Sequence, residues 1–241
     1  MNTLHNFIFN VYPYICLAVF FMGSLARFDR DQYTWKSDSS QLLRKAQLRW
    51  GSNLFHGGIL FLFFGHLFGQ LTPHGLYEIF VTASQKQLIA VAAGGVAGGL
   101  CFIGLTMLLH RRLFDPRIRL TSHRTDIAIL VILWVQLVIG LSTLPASLHH
   151  VSDPQTMLRL AEYLQGIVLM QPNAALVAGI EWHFQAHMLL GMTIFLLFPF
   201  SRLVHVWSGF GTLAYLVRPY QMVRARRLNV PAGQSQPRRV G

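Results

Sequence analysis

Charge is scarce in this sequence, and acidic charge most of all. Its 241 residues hold nine Asp and Glu against 20 Lys and Arg, and charged residues make up only 12%. That is about half the usual share for a soluble domain. With 53% hydrophobic residues, a large water-soluble domain is excluded and a membrane domain of several helices is expected. Cysteine is scarcer still. Cys16 and Cys101 both lie in apolar stretches, and neither sits in a C-x-x-C-H. Covalent c-type haem is therefore excluded, and a disulfide framework is not expected. Two thiols also fall short of the four that an iron–sulfur cluster takes. No Lys or Arg precedes Arg27, and no small-residue cleavage site follows the first apolar stretch. The N-terminus is thus not expected to be a secretory signal peptide. The basic excess does not point to nucleic acid, because the cations cluster at the ends of apolar segments. There they read as topology signals and as contacts with anionic lipid.

What is present is a series of long apolar runs. Five are long enough to span a bilayer core of roughly 30 Å, at about 4–26, 50–71, 87–110, 126–147 and 185–207. The expected fold class is all-α, an integral membrane bundle of five transmembrane helices occupying residues 1–227. Residues 228–241 read as a disordered tail. The third segment carries Gly94-Gly95-Val96-Ala97-Gly98-Gly99, a small-residue face expected to allow close helix contact. Cations fill the first and third connections and the C-terminal end. The second connection has only Lys86 and the long fourth one only Arg159. This asymmetry places the N-terminus outside and the C-terminus in the cytoplasm. Residues 155–170 are expected to form a short amphipathic helix on the outer surface.

Histidine inside an apolar span is costly and calls for a reason. His56 and His66 lie in the second segment, and His187 and His205 in the fifth. The topology sorts them by depth: His66 and His187 are outer, His56 and His205 inner. Each depth-matched pair could clamp one haem iron from both faces, as in six-coordinate electron-transfer haem. Spacing supports this only in part. His187 and His205 are 18 residues apart, five turns of a straight helix, whereas His56 and His66 fall roughly 80° out of phase. The rises differ too, about 27 Å against about 15 Å. Helix crossing or a bend at Pro199 must absorb the difference. Gly57, Gly58, Gly65 and Gly69 are expected to leave room for a flat macrocycle. His183, one turn before His187, competes for the outer site. An interhelical hydrogen bond remains the alternative role for any single buried histidine. His5, His74, His110, His123, His149 and His150 read as interfacial or loop residues.

Haem propionates need cations. Arg202, one turn before His205, and Arg111 and Arg112, ending the third segment on the same side, are candidates for the inner haem. Topological anchoring is an equal alternative for Arg111 and Arg112. Lys86, a solitary outer cation, could serve a propionate or a quinol oxygen, or could merely snorkel to the interface.

Several stretches carry a resemblance. They are Tyr12-Pro13-Tyr14, Asp31-Gln32-Tyr33-Thr34-Trp35, Ser52-Asn53-Leu54-Phe55-His56, Gly65-His66, Leu71-Thr72-Pro73-His74 and Arg111-Arg112-Leu113-Phe114. To these are added His187, Leu190-Gly191-Met192-Thr193, and Phe198-Pro199-Phe200-Ser201-Arg202-Leu203 with His205. Together, up to about residue 227, they resemble the gamma subunits of membrane-bound respiratory nitrate reductases, a family of di-haem b cytochromes. Glu181-Trp182-His183 departs from that pattern, and the tail after Arg227 is an addition to it.

The resemblance implies a five-helix anchor in the bacterial inner membrane holding two haem b groups. His66 and His187 would ligate the outer iron, and His56 and His205 the inner one. It implies a quinol site beside the outer haem, near Lys86 and His66. It implies partners, an iron–sulfur (beta) subunit and a molybdenum catalytic (alpha) subunit that reduces nitrate, so the chain would not reduce nitrate alone. Other readings remain open at this point: the cytochrome b subunit of a formate dehydrogenase or hydrogenase, a haem-free transporter with a histidine proton relay, or a passive anchor.

Overall fold

A computed structural model describes residues 2–31 and 45–207. The tail expected at 228–241 and the basic residues between 32 and 44 and beyond 207 lie outside them. The described residues form helices and connecting turns, without a strand: α1 (Thr3–Asn6), α2 (Tyr12–Asp31), α3 (Lys45–Leu71), α4 (His74–Tyr77), α5 (Ala83–Phe114), α6 (Pro116–Leu120), α7 (Arg124–His149), α8 (Gln155–Val168) and α9 (Trp182–Leu197). Among them are five stretches long and apolar enough to cross a membrane: Thr3–Arg30, Ala46–Leu71, Ala83–Phe114, Arg124–His149 and Trp182–Phe200. These match the expected spans, with the fifth shorter than expected.

The bundle is ordered by neighbour contacts: α3 packs on α5, α5 on α7, α7 on α9, and α9 on α2. Small residues explain the closest of these. A Cβ on Gly58 would lie 2.6 Å from Cβ of Cys101 and 2.8 Å from the Ala97 carbonyl oxygen. One on Gly104 would lie 2.8 Å from the Gly51 oxygen and 2.9 Å from Cβ of Leu54. The α3–α5 backbones thus approach as only glycine permits. Gly98 of the expected small-residue face lies under Leu141 of α7, 2.8 Å from where its Cβ would be. Gly94 and Gly99 meet nothing within 4 Å. Cys101, Leu105, Leu130 and Leu137 form the buried core between α5 and α7. Phe61, Phe63, Phe64 and Phe68 point outward from α3, as lipid-facing side chains do when the solvent is hydrocarbon.

The fifth span is not one straight helix. Pro199 lacks the N–H that would continue the ladder, and α9 gives way to two 3-10 turns, Phe198–Phe200 and Arg202–Val204. Ser201 between them is extended (φ −117°, ψ 176°), and its side chain accepts from the Leu203 N–H. Arg27 of α2 donates to the carbonyls of Pro199 (2.7 Å) and Ser201 (2.9 Å), which satisfies acceptors orphaned by the break. Gly23, whose Cβ would sit 2.7 Å from Cγ of Pro199, lets the kink approach α2.

At the end of the bundle that holds His66 and His187, α8 is amphipathic as expected, but its apolar face turns onto the bundle. Leu160, Ala161, Tyr163 and Ile167 are buried, and α8 packs on α3. The anchor is the π-helical segment Phe7–Val11: Pro13, four residues after Phe9, has no N–H to give, which leaves the Phe9 carbonyl open to a side chain. Tyr163 donates to it at 2.7 Å, fully buried. Desolvation, and secondarily Tyr14, pushes the Tyr163 phenol above its ordinary range, so it remains a donor. Asn10 accepts from the Ala174 N–H (2.8 Å), and His5 Nε2 donates to the Ala174 carbonyl (3.0 Å). Removing the hydroxyl with Tyr163→Phe strands a buried carbonyl, at a cost of about 1–3 kcal/mol. The expected result is a lower midpoint of thermal unfolding in detergent, with α8 more accessible to protease.

Candidate functional site

Because α3 and α9 lean on α5 and α7 more than on each other, a slot separates them. The four span histidines face one another across it, two by two. His66 and His187 have ring centroids 6.1 Å apart, and His56 and His205 have theirs 6.2 Å apart. These are the depth-matched combinations. The break after Leu197 is what draws His205 to the level of His56, a distance that a straight helix would overshoot.

The ring geometry is informative. A metal–imidazole bond runs about 2.0 Å, so ring centroids about 6 Å apart leave room for one metal ion between the imidazoles of a pair. In each ring Nδ1 is held by a backbone carbonyl. The partners are Ser52 for His56 (2.8 Å), Leu62 for His66 (2.7 Å), Gln136 for His187 (3.2 Å) and Arg202 for His205 (2.6 Å). The Ser52 hydroxyl is a further 3.2 Å from His56 Nδ1. A carbonyl on Nδ1 fixes the tautomer with its proton there and leaves Nε2 as the ligating atom. Gln136 also clasps α9, donating from Nε2 to the His187 carbonyl at 3.0 Å and touching His187 Nε2 at 3.4 Å. Among the described residues, no three or more His, Cys, Asp or Glu side chains converge as a metal site. A metal between either pair would take two ligands from the protein and the rest from a macrocycle.

Space exists for one. At Gly57, Gly65 and Gly69 a Cβ would meet nothing within 4 Å. Gly58, expected to share that role, instead forms the contact with α5. On the other wall, a Cβ on Gly140 would lie 2.7 Å from Cε1 of His187. A cavity of about 470 Å³ adjoins the outer pair, walled by α3, α5, α7, α8 and α9 and including Gly65, His66, Lys86, Gln87, His150 and His187. The rival histidine, His183, is not among its lining residues. Its ring lies against Trp182, with centroids 4.3 Å apart.

Lys86 lines the same cavity. A capping box between Thr82 and Gln85 starts α5 just before it, which puts a cation at the unfavourable end of the helix dipole. The ring of Tyr77 compensates, lying 3.6 Å from Nζ. Burial pushes the Tyr77 phenol up, followed by the charge of Glu78, so the ring under Lys86 stays neutral. Gln87 donates from Nε2 to the Ser147 carbonyl at 2.6 Å, joining the start of α5 to the end of α7. Its buried Oε1, like that of Gln70, has no protein partner.

At the end of the bundle near His56 and His205, Arg112 and Arg202 converge on Asp126 Oδ2 at 3.3 and 3.4 Å, and Arg112 also donates to the Ser122 hydroxyl at 2.9 Å. Arg111 is buried beside them. Two of the three arginines expected to serve propionates thus already share one carboxylate.

Comparison with known proteins settles the lineage. Residues 5–226 match the nitrate reductase gamma subunit family. The chain belongs to that family. It is similar to the respiratory nitrate reductase 1 gamma chain of Escherichia coli, 48% identical over 94% of this chain and 100% of the relative. The respiratory nitrate reductase 2 gamma chain of the same organism is 49% identical over the same shares. The nitrate reductase gamma chain of Bacillus subtilis is 37% identical over 91% of this chain and 97% of the relative. The chain is therefore a multi-pass membrane subunit of a nitrate reductase, whose catalytic chemistry resides on partner subunits. The family also separates it from the formate dehydrogenase and hydrogenase cytochromes considered above.

Sequence reasoning missed Gln136, Tyr77, Asp126 and His150. Asp126 and Gln136 had a signal, a polar residue inside an apolar run. Tyr77 had none, because it acts through Lys86 on another helix.

Proposed function

We propose that the chain is the quinol-oxidising di-haem cytochrome b of a respiratory nitrate reductase. The observation that carries this reading is the repeated histidine geometry: two pairs with ring centroids 6.1 and 6.2 Å apart, every Nδ1 taken by a carbonyl. His66 and His187 would hold the outer haem b, and His56 and His205 the inner one. Two haem b groups, when bound, supply one-electron carriers between the outer and inner sides of the membrane. Arg111, Arg112 and Arg202 give the inner site a cationic rim for propionates, with Asp126 offsetting part of that charge.

The chain's own residues bind and orient the quinol at the outer cavity. Lys86, held by Tyr77, offers a charged donor to a quinol oxygen. The unpartnered Oε1 atoms of Gln70 and Gln87 offer acceptors to its hydroxyls. Helix α8, fastened by Tyr163, covers the cavity from outside water. The exposed α3 flank around Phe61 faces lipid, from which a quinol could come. Electrons would leave through an iron–sulfur subunit docked on the cytoplasmic side, for nitrate reduction by a molybdenum subunit. The charge asymmetry of the connections supports an outside N-terminus and a cytoplasmic C-terminus, in the bacterial inner membrane.

A pyridine haemochrome assay on the purified complex tests this reading: two haem b per gamma chain are expected, and none would sink it in favour of a histidine relay. A finer check comes from Gly140. Its α-hydrogen faces the His187 ring, so Gly140→Val must push that imidazole aside. Loss of one haem is expected, the one also lost in His187 variants, while the inner haem persists in the optical spectrum.

A further inference from the structure

The outer cavity is lined by four titratable side chains: His66, Lys86, His150 and His187. Three have employment. His66 and His187 commit Nδ1 to carbonyls and face each other, and Lys86 is a cation on the Tyr77 ring. His150 is the fourth. It caps the C-terminus of α7, with Nδ1 on the Ala146 carbonyl at 2.7 Å. Its Nε2 lies 3.5 Å from Oε1 of Glu181, the residue that begins α9. Both side chains are 37% exposed, so the pair runs from the cavity wall to the outer surface. The Gln87–Ser147 hydrogen bond clamps the seam that carries Lys86 on one side and His150 on the other.

We propose that His150 is the proton acceptor for the quinol and that Glu181 passes its protons to outer water. The proposal rests on the quinol-oxidising reading above. Oxidising a quinol to a quinone breaks two O–H bonds and releases two electrons and two protons. The electrons would be taken one at a time by the haem that His66 and His187 would hold, when bound. At each departure one hydroxyl proton moves to Nε2 of His150. The imidazolium formed lies beside the Glu181 carboxylate, which relays the proton outward and returns His150 neutral for the second. Lys86, a cation on the Tyr77 ring, is placed to donate and not to accept. A neutral imidazole with its proton on Nδ1 offers the Nε2 lone pair as an acceptor. The charged and titratable groups around it are Glu181 and His187 from the start and body of α9, Lys86 from α5, His66 from α3, and His149 and Asp153 on its own turn.

The test uses the intact enzyme complex with His150→Gln, Glu181→Gln and Glu181→Asp. For His150→Gln, kcat for quinol oxidation at neutral pH is expected to fall about 100-fold, with KM and the haem spectrum unchanged. Added imidazole should restore turnover. Glu181→Gln should show a smaller fall and Glu181→Asp close to wild-type turnover. An unchanged kcat in His150→Gln overturns the proposal. So does a loss that travels with KM or haem content and resists imidazole, since that marks a binding or packing role. Lys86→Ala measured alongside separates the two levels: if it oxidises quinol normally, the quinol site itself is misplaced; if it is impaired while His150→Gln is not, only the relay fails.

Discussion

Replacing His66 or His187 with alanine should remove the same haem from the complex, and replacing His56 or His205 should remove the other. In each variant, pyridine haemochrome should read about half the wild-type haem b, and a redox titration should show one wave in place of two. The pairing is the informative part. Each histidine's neighbour in sequence sits in the other site, so grouping by helix predicts the opposite pattern from grouping by depth. The geometry allows only the latter, with centroid separations of 6.1 and 6.2 Å across the slot between α3 and α9. Retention of the second haem shows that a variant has folded, so loss of one haem cannot be blamed on collapse of the bundle. If His56 and His66 variants lost the same haem, the ligand assignment would fall.

Lys86→Ala should uncouple quinol from nitrate without touching either haem. A charge-assisted hydrogen bond to a bound oxygen is worth about 1.5–3 kcal/mol, so kcat/KM for quinol should drop roughly 10- to 150-fold. Nitrate reduction driven by a small soluble reductant that feeds the partner subunits directly should be unchanged. Tyr77→Leu should show a partial version of the same defect, because it removes the ring that holds Nζ in place, a cation–π contact worth about 0.5–2 kcal/mol. Arg159→Ala is the control: Arg159 is also an outer cation, but it donates to the carbonyls of Ala175 and Ala178 away from the cavity lining. A Lys86→Ala enzyme with wild-type kcat/KM for quinol would show that the cation merely anchors the helix.

Much of this architecture is legible in the sequence because the bilayer simplifies the problem. Only helices satisfy their own backbone in hydrocarbon, so apolar length gives the spans, and Lys and Arg placement gives the direction we propose for them. The depth order of four histidines then follows by counting. What counting could not supply was the path of the chain between His187 and His205. Pro199 announced a bend, but the two 3-10 turns and the extended Ser201 depend on Arg27 and Gly23 from a helix 170 residues away. The glycines illustrate the same limit. Gly57 and Gly58 are neighbours in sequence, yet one opens onto space and the other touches Cys101, because a helix turns about 100° per residue and the sequence does not say where the partner lies. Helix α8 was readable as amphipathic; that its apolar side faces protein rests on Tyr163 reaching the Phe9 carbonyl, 154 residues away in sequence. His150 read as a loop residue because its importance lies in the cavity wall, and walls are assembled from several elements.

Helix α3 holds one histidine of each pair, ten residues apart. The separation of their levels, about 15 Å along the helix, is therefore engraved on a single rod. The other two histidines straddle a broken segment, pinned at the break by Arg27 and Gly23. Tunnelling rates fall steeply with distance, so the two haems we propose would gain constancy from both stations hanging on one unbroken helix. A single residue inserted between His56 and His66 would swing one station about 100° around that rod, and no adjustment of the opposite wall could bring it back.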